Sequence, residues 1–384
     1  MSSEIKKAAK EAHAYTPGLK VKRSLKLRKL RRLPIFGEVF VDVGDEVDFL
    51  TPIADTKIPG APYVVNAANE LGVAPKTLNE YLMKKVGDSV SKGEEIAGFK
   101  AFFGLMKKYV LSPIDGYIER VSPVTGQIIL REAPVPLTVN AYIPGKVVEV
   151  MEREGAVVET NAAFIQGIFG IGGEAHGEIK VIMDDPRTEL TTDLLTPECK
   201  GKVLVGGSLA TREFIRKAVD VGAAGIVTGG VRDVDLEDLL GYELGVAITG
   251  QEEVGLTIII TEGFGSMAMN PRTLKLFEEF EGEMAAINGT TQIRAGVMRP
   301  EAIIPHQLPV EEDSGENLSG GMRPGTQIRI IREPHFGALG TVVSLPVERQ
   351  RIDETEDHVR VLEVELEGGR TVMVPRANVE IIET

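Results

Sequence analysis

Histidine and cysteine are scarce in this chain, and that narrows its chemistry at once. His13, His176, His306, His335 and His358 fall in five separate segments, and Cys199 has no second thiol. An internal disulfide framework and a cysteine-clustered metal site are therefore excluded. No Walker-type phosphate loop and no nucleophile elbow is found either. The densest candidate site runs from Gly167 to Gly177 and contains Gly172, Gly173, Glu174 and His176. Backbone N–H groups of a glycine-rich loop can cradle an anion. Glu174 and His176 are a possible acid/base or metal pair, with no third ligand close in sequence. The loop lacks the Lys-Ser/Thr of a phosphate loop and leads into a strand, so plain structural turns are the competing account. A second candidate is Gly229-Gly230 followed by Arg232. A third is the pair Arg332 and His335, able to touch a partner. No cofactor and no metal is expected from these residues.

The elements around Gly229 must position it. Residues 202–206 read as a strand ending at Gly206-Gly207. A helix over 209–221 follows, capped by Ser208 and closed by Gly222. Residues 224–230 form the next strand, 245–250 and 256–261 two more, and Asn270-Pro271 starts a helix. Strand–helix–strand order favours right-handed parallel crossovers, and the glycine turns sit at the carboxyl ends of strands, where open parallel sheets bind ligands. The run from Gly222 through Gly225, Gly229 and Gly230 to Asp233 resembles the swivelling β/β/α folds, including the regulator-of-ribonuclease family.

Before this region, short apolar pairs alternate with glycine turns at Gly87, Gly93, Gly116 and Gly126, the pattern of brief strands. Val43-Gly44-Asp45-x-Val47 ending in Ile53-Ala54 recurs as Val86-Gly87-Asp88-x-Val90 ending in Ile96-Ala97. That repeat points to an internal duplication of a strand-turn-strand unit. Residues 67–72 and 75–82 between the copies read as two short helices. Residues 86–132 resemble the barrel-sandwich hybrid of biotinyl and lipoyl carrier domains, also found in ion-translocating oxidoreductase subunits. The resemblance implies a fold. Carriers need a lysine on an exposed hairpin tip, but the flanks of Lys57 and Lys107 depart from the carrier pattern, so an unmodified β module is expected.

Residues 322–384 read as five short strands with a hairpin at Gly368-Gly369, a small SH3-like barrel. Gly325, Ile328, Arg329, Ile330, Arg332, Pro334, His335, Phe336, Gly337, Gly340 and Val342 stand in a spacing that resembles the KOW motif of NusG-type factors and some ribosomal proteins. Phe336 takes the motif's aromatic position. The resemblance implies contacts to RNA, RNA polymerase or ribosomal protein, or a purely structural barrel. Eight Arg against eleven Asp and Glu in this stretch disfavour phosphate binding.

Residues 1–34 carry about +9, which leaves about −23 for the remainder of a chain of net charge −14. Three accounts of the basic run compete: a solvated extension, a contact to an acidic partner or the chain's own acidic body, or a nucleic-acid or anionic-membrane contact. Leu25, Leu27, Leu30 and Leu33 fit neither a two-residue nor a 3.6-residue period, which leaves its structure open. No apolar run reaches membrane-spanning length and no signal-peptide core is present, so a cytoplasmic protein without membrane insertion is expected.

The expected architecture is multidomain and mainly β with one α/β domain, either swivelling-type or an open sheet. It has a basic arm at 1–33, a barrel-sandwich-hybrid-like domain with a short helical insert at 34–183, and the α/β domain at 198–305. A linker at 306–321 leads to the KOW-like, SH3-like barrel at 322–384. The expected role is a non-catalytic adaptor or scaffold for protein assemblies, with RNA or ribonucleoprotein contact through the basic arm and the KOW-like barrel. The alternative is an enzyme or carrier subunit with a small-molecule site at the glycine turns of the α/β domain.

Overall fold

A computed structural model describes residues 19–101, 106–241, 254–291, 298–310, 322–330, 335, 338–346, 349–351, 358–366 and 369–381. The chain is mainly β, in several sheets. Its N-terminal half holds two units of like construction, one inside the other. The outer unit begins with β1 (Val21–Arg32), β2 (Glu38–Val39), β3 (Glu46–Val47) and β4 (Pro52–Ile58). The inner unit interrupts it with β5 (Pro62–Val65), helix α1 (Ala67–Leu71) and a 3-10 turn over Pro75–Tyr81. It continues through β6 (Ser89–Val90), β7 (Glu95–Ala101), β8 (Met106–Leu111), β9 (Gly116–Val121) and β10 (Ile128–Arg131). The outer unit then resumes as β11 (Val135–Asn140), β12 (Gly145–Met151) and β13 (Gly155–Gln166).

The pairings match one for one. β3 pairs β12 as β6 pairs β9, and β4 pairs β11 as β7 pairs β8. β13 lies between β12 and β1 as β10 lies between β9 and β5. The turn bonds repeat too. Gly44 N–H donates to the Val147 carbonyl as Gly87 N–H donates to that of Ile118, each at 2.8 Å. Asp45 Oδ2 accepts from Asp42 N–H as Asp88 Oδ2 accepts from Lys85 N–H. Both glycines hold positive φ, +105° and +93°, where a Cβ is strained. The duplication visible in the sequence is therefore carried by the hydrogen bonds of the fold.

The basic stretch is part of the outer unit, not an extension from it. β1 runs antiparallel along β13, and Leu19, Ser24 and Leu33 are buried. Alternate residues face inward, but the inward set is Leu25, Leu27, Lys29 and Arg31, while Leu30 points out and is exposed. Two cations thus stand where a two-residue period asks for apolar side chains. Each finds a carboxylate: Lys29 pairs Glu301 and Arg31 pairs Glu174. Around them Arg28 and Lys26 pair Glu159, Arg32 pairs Glu154, and Arg23 pairs Glu279. Residues 19–33 are thus in contact with the chain's own acidic body.

The next strands are β14 (Phe169–Ile171), β15 (Glu174–Met183) and β16 (Val203–Gly206), then α2 (Arg212–Val221), β17 (Gly225–Val231) and α3 (Asp233–Leu240). β18 (Thr257–Phe264), α4 (Pro271–Glu279), β19 (Met284–Asn288) and β20 (Glu301–Pro305) complete this part. Strands β15, β16, β17 and β18 are parallel and adjacent in order. β14 closes one side antiparallel to β18, and β19 and β20 lead from β15 to β13. Among the described residues this makes one eleven-stranded sheet, which curls into a half-barrel. It runs without a break across the segment 183–198, because β15 pairs both β16 and β19.

Period two divides the parallel strands between two cores. Leu204, Ile226, Ile258 and Ile260 pack with Phe214 and Ile215 of α2 and Leu236 of α3. Val203, Val205, Val227 and Ile259 pack with Leu274 and Phe277 of α4. Helix α2 starts later than its apolar spacing suggests, because Thr211 rather than Ser208 caps it, accepting from Phe214 N–H at 3.3 Å. The Ser208 hydroxyl instead donates to the Arg187 carbonyl. Asn270 and Pro271 start α4 as expected.

At the C-terminus, β21 (Gln327–Ile330), β22 (Leu339–Ser344), β23 (Arg349–Arg351), β24 (His358–Leu366), β25 (Thr371–Pro375) and β26 (Val379–Ile381) form a six-stranded sheet around Ile328, Ile330, Val342, Leu362 and Val364. Among the described residues no helix is long and apolar enough to cross a membrane.

Candidate functional site

Glu174 and His176 lie at the start of β15, where the α/β part meets the outer unit. Gly172 turns the chain at φ +84°, and a Cβ there would sit 2.6 Å from the Leu256 carbonyl. The Gly173 carbonyl accepts from the Thr257 hydroxyl at 2.9 Å. The loop is thus packed against residues 256–257 by its backbone. The Glu174 carboxylate takes both arms of the Arg31 guanidinium, at 2.6 and 2.7 Å. Arg31 Nε donates to the Asn140 carbonyl, and its charge lies 5.3 Å from the centre of the Tyr142 ring. The His176 ring stacks on Phe49 at 5.1 Å.

Tyr142 is the unusual member of this cluster. It is buried and holds φ +71°, a conformation that costs a residue with a Cβ about 1–2 kcal/mol. Its hydroxyl has no hydrogen-bond partner of good geometry. Burial pushes the phenol well above its usual range, and the carboxylates of Glu301 and Glu174 push it further. Glu301 itself is held by Lys29 at 2.5 and 2.6 Å. Two cations are thereby matched to two carboxylates around a neutral phenol. Sequence reasoning singled out Glu174 and His176 but missed Arg31 on β1, Tyr142 between β11 and β12, and Glu301 on β20, all distant in the chain.

The second candidate lies at the carboxyl edge of the parallel strands. Helices α2, α3 and α4 all begin just beyond β16, β17 and β18, which is the arrangement that binds ligands in open sheets. Gly229 and Gly230, read from the sequence as a turn, lie instead within β17, and this strand end is bonded to the neighbouring loops. Gly229 N–H donates to the Gly207 carbonyl, Ala210 N–H to Gly230, Met267 N–H to Ser208, and Gly265 N–H to Val231. A Cβ at Gly229 would lie 1.8 Å from the Met267 carbonyl, and one at Gly230 would lie 2.1 Å from that of Gly265. The glycines allow these loops to stack closely. Arg232 turns back onto Asp235 at 2.8 Å, and that carboxylate raises its pKa. At the end of β18, Glu262 receives Arg329 of β21 at 2.6 Å, with both side chains buried. Arg329 also donates to the Thr261 carbonyl, which ties the C-terminal sheet to this edge.

The third candidate is only partly within view. Arg332 and Phe336 lie outside the described residues, while the His335 carbonyl accepts from Ala338 N–H at 3.0 Å. Lys57 faces Pro136 within the β4–β11 ladder, and Lys107 faces Lys100 within the β7–β8 ladder. The structure therefore brings Gly172, Gly173, Glu174 and His176 into one cluster and Gly229, Gly230 and Arg232 into another.

One groove of about 1120 Å³ escaped the sequence altogether. It opens where β13 passes from β12 to β20 as its neighbour, with Thr160 and Asn161 at the fork. Lys146, Glu46, Glu283 and His306 are among its walls. His306 is used as a bracket: its Nε2 contacts the Arg23 carbonyl, its Nδ1 accepts from Leu308 N–H, and its ring stacks on Phe280. Six segments contribute to its walls, so no local pattern could have announced it. Among the described residues no group of three His, Cys, Asp or Glu side chains is placed to hold a metal. Compared with known protein families and with curated proteins, the chain matches none.

Proposed function

We propose that the chain is a non-catalytic adaptor that binds other proteins through its β units. The observation that supports this reading is the surface of the outer unit. Between residues 35 and 50 it leaves Ile35, Phe36, Phe40, Val43 and Leu50 exposed, Phe36 at 62%. We read these exposed apolar side chains, with the Arg153 guanidinium 5.2 Å over the Phe36 ring, as a surface for protein contact. Among the described candidate groups, by contrast, Glu174 is engaged by Arg31 and Arg232 by Asp235.

On this reading the nested units are two barrel-sandwich hybrids that serve as binding modules and not as carriers. Lys57 and Lys107 occupy ladder positions, not hairpin tips. The C-terminal sheet is read as a KOW-like, SH3-like barrel, and the protein as cytoplasmic. A protein partner is favoured over RNA, because the cations Arg23, Lys26, Arg28, Lys29, Arg31 and Arg32 of β1 are already matched by carboxylates.

The test is capture of partners on the tagged full chain, with and without nuclease. The reading expects a set of proteins that survives nuclease, is lost with Phe36→Asp and is kept with Arg232→Ala. Capture that ignores Phe36→Asp but fails with Arg232→Ala would favour the small-molecule site at the glycine turns. Capture lost to nuclease would favour RNA.

A further inference from the structure

The two nested units offer equivalent turns with exposed apolar side chains at equivalent positions and different charge. Phe40 in the outer unit corresponds to Met83 in the inner one, and Val43 corresponds to Val86, by the forty-three-residue offset of Gly44 and Gly87. The exposures agree: 48% and 51% for the first pair, 65% and 60% for the second. A valine at the crown of a tight turn, exposed in both copies, has no role in either core. Charge separates them. Residues 38–48 carry Glu38, Asp42, Asp45, Glu46 and Asp48 with no Lys or Arg, while residues 81–91 carry Lys84 and Lys85 against Asp88 alone. The equivalent positions beside the valines are Asp42 and Lys85, both exposed. Lys146 reaches alongside the outer turn, 4.0 Å from where a Cβ on Gly44 would stand, and still leaves that turn negative. In the inner turn Lys84 is held by Glu94 at 2.6 Å, whereas among the described residues Lys85 makes only backbone bonds.

We propose that the chain associates with a second copy of itself, the acidic outer turn of one molecule docking against the Lys85-bearing inner turn of the other. Val43 and Phe40 then cover Val86 and Met83, and Asp42 meets Lys85. Each molecule carries both turns, so every copy can offer either side of this contact. Apolar contact supplies the attraction, and the charges set which turn meets which. This inference rests on the adaptor reading and names the partner as another copy.

Sedimentation and light scattering of the full chain, from dilute to concentrated solution and at low and high salt, provide the test. The wild type is expected to self-associate, and the association should weaken as salt screens the pair. Asp42→Lys and Lys85→Asp should each weaken it about tenfold or more, the scale of one close charge pair at an interface. An equimolar mixture of the two variants should recover association, because the cation introduced in one then faces the carboxylate introduced in the other. Unchanged melting of each variant confirms that folding is intact. A wild type that stays monomeric overturns the inference. So do variants that associate as the wild type does, or weakened variants whose mixture fails to recover. If the wild type is monomeric yet capture of other proteins still depends on Phe36, the adaptor reading survives and only self-association falls.

Discussion

The outer and inner units share a turn, a pairing scheme and a pair of positive-φ glycines, yet they are stabilised in different ways. The inner unit closes on itself. Ile96, Ile118, Ile128, Leu130 and Leu78 form a core drawn from residues 65–130 alone. The outer unit does not. Its core includes Ala286 and Ile303 from β19 and β20, and its first strand is fastened by ion pairs to Glu174, Glu279 and Glu301. The same local motif is thus an independent module in one place and one wall of a larger sheet in the other. Turn chemistry specifies the local geometry, whereas the side chains facing away from the turn decide what it is built into.

The largest expected effect comes from removing β1. Deletion of residues 1–32 exposes the edge of β13 and orphans several carboxylates, so cooperative thermal unfolding should be lost. Residues 59–134, expressed alone, should still melt cooperatively. If the truncated chain melts like the full one, the difference between the two units disappears.

Arg31→Ala comes next. It leaves Glu174 without its bidentate partner beside the buried phenol, and should cost about 2–3 kcal/mol, less than a fully buried pair because Glu174 is partly exposed. Lys84→Ala breaks the corresponding surface pair of the inner unit with Glu94 and should leave the melting temperature unchanged. Chemical denaturation of both variants measures the contrast.

Tyr142 makes a prediction in pH. Its folded pKa is raised, so the unfolded chain loses the phenol proton first. Stability should be intact below the unfolded value near 10, then fall by about 1.4 kcal/mol per pH unit above it. Tyr142→Phe should be nearly neutral at pH 7, because the hydroxyl has no good partner, and should flatten the alkaline slope. Denaturation curves between pH 8 and pH 11 decide it.

How much of this was legible in the sequence follows from where the signals lie. The duplication could be read because Gly44-Asp45 and Gly87-Asp88 are local, and the bonds of those turns lie within a few residues. Helices α2 and α4 could be read because their apolar stripes are local as well, as is the Asn270 cap of α4, although Thr211 and not Ser208 caps α2. The strand β1 could not. Its inward positions alternate Leu with Lys and Arg, and what makes Lys29 and Arg31 acceptable there is Glu301 and Glu174, far along the chain. The Tyr142 cluster and the groove at Asn161 were hidden for the same reason, since distant strands assemble them. Gly206-Gly207 and Gly229-Gly230 were read as turns, but Gly229 and Gly230 lie within β17, and their packing on the neighbouring loops depends on the parallel sheet.

A last pair of substitutions tests the likeness of the two units. Gly44→Ala and Gly87→Ala meet little or no steric obstacle beyond the φ > 0 backbone, so each should cost about 1–2 kcal/mol, and by the same amount. Unequal costs would mean that the turns are less alike than their hydrogen bonds indicate.

The central claim is that the exposed turns of the nested units, and not the glycine edge of the parallel sheet, form the binding surface. Hydrogen exchange on the full chain, free and in its captured complex, tests it most directly. Slowed exchange over residues 35–50, with residues 206–208, 229–232 and 263–266 unchanged, is the predicted result. Slowed exchange confined to those three glycine turns would contradict the account.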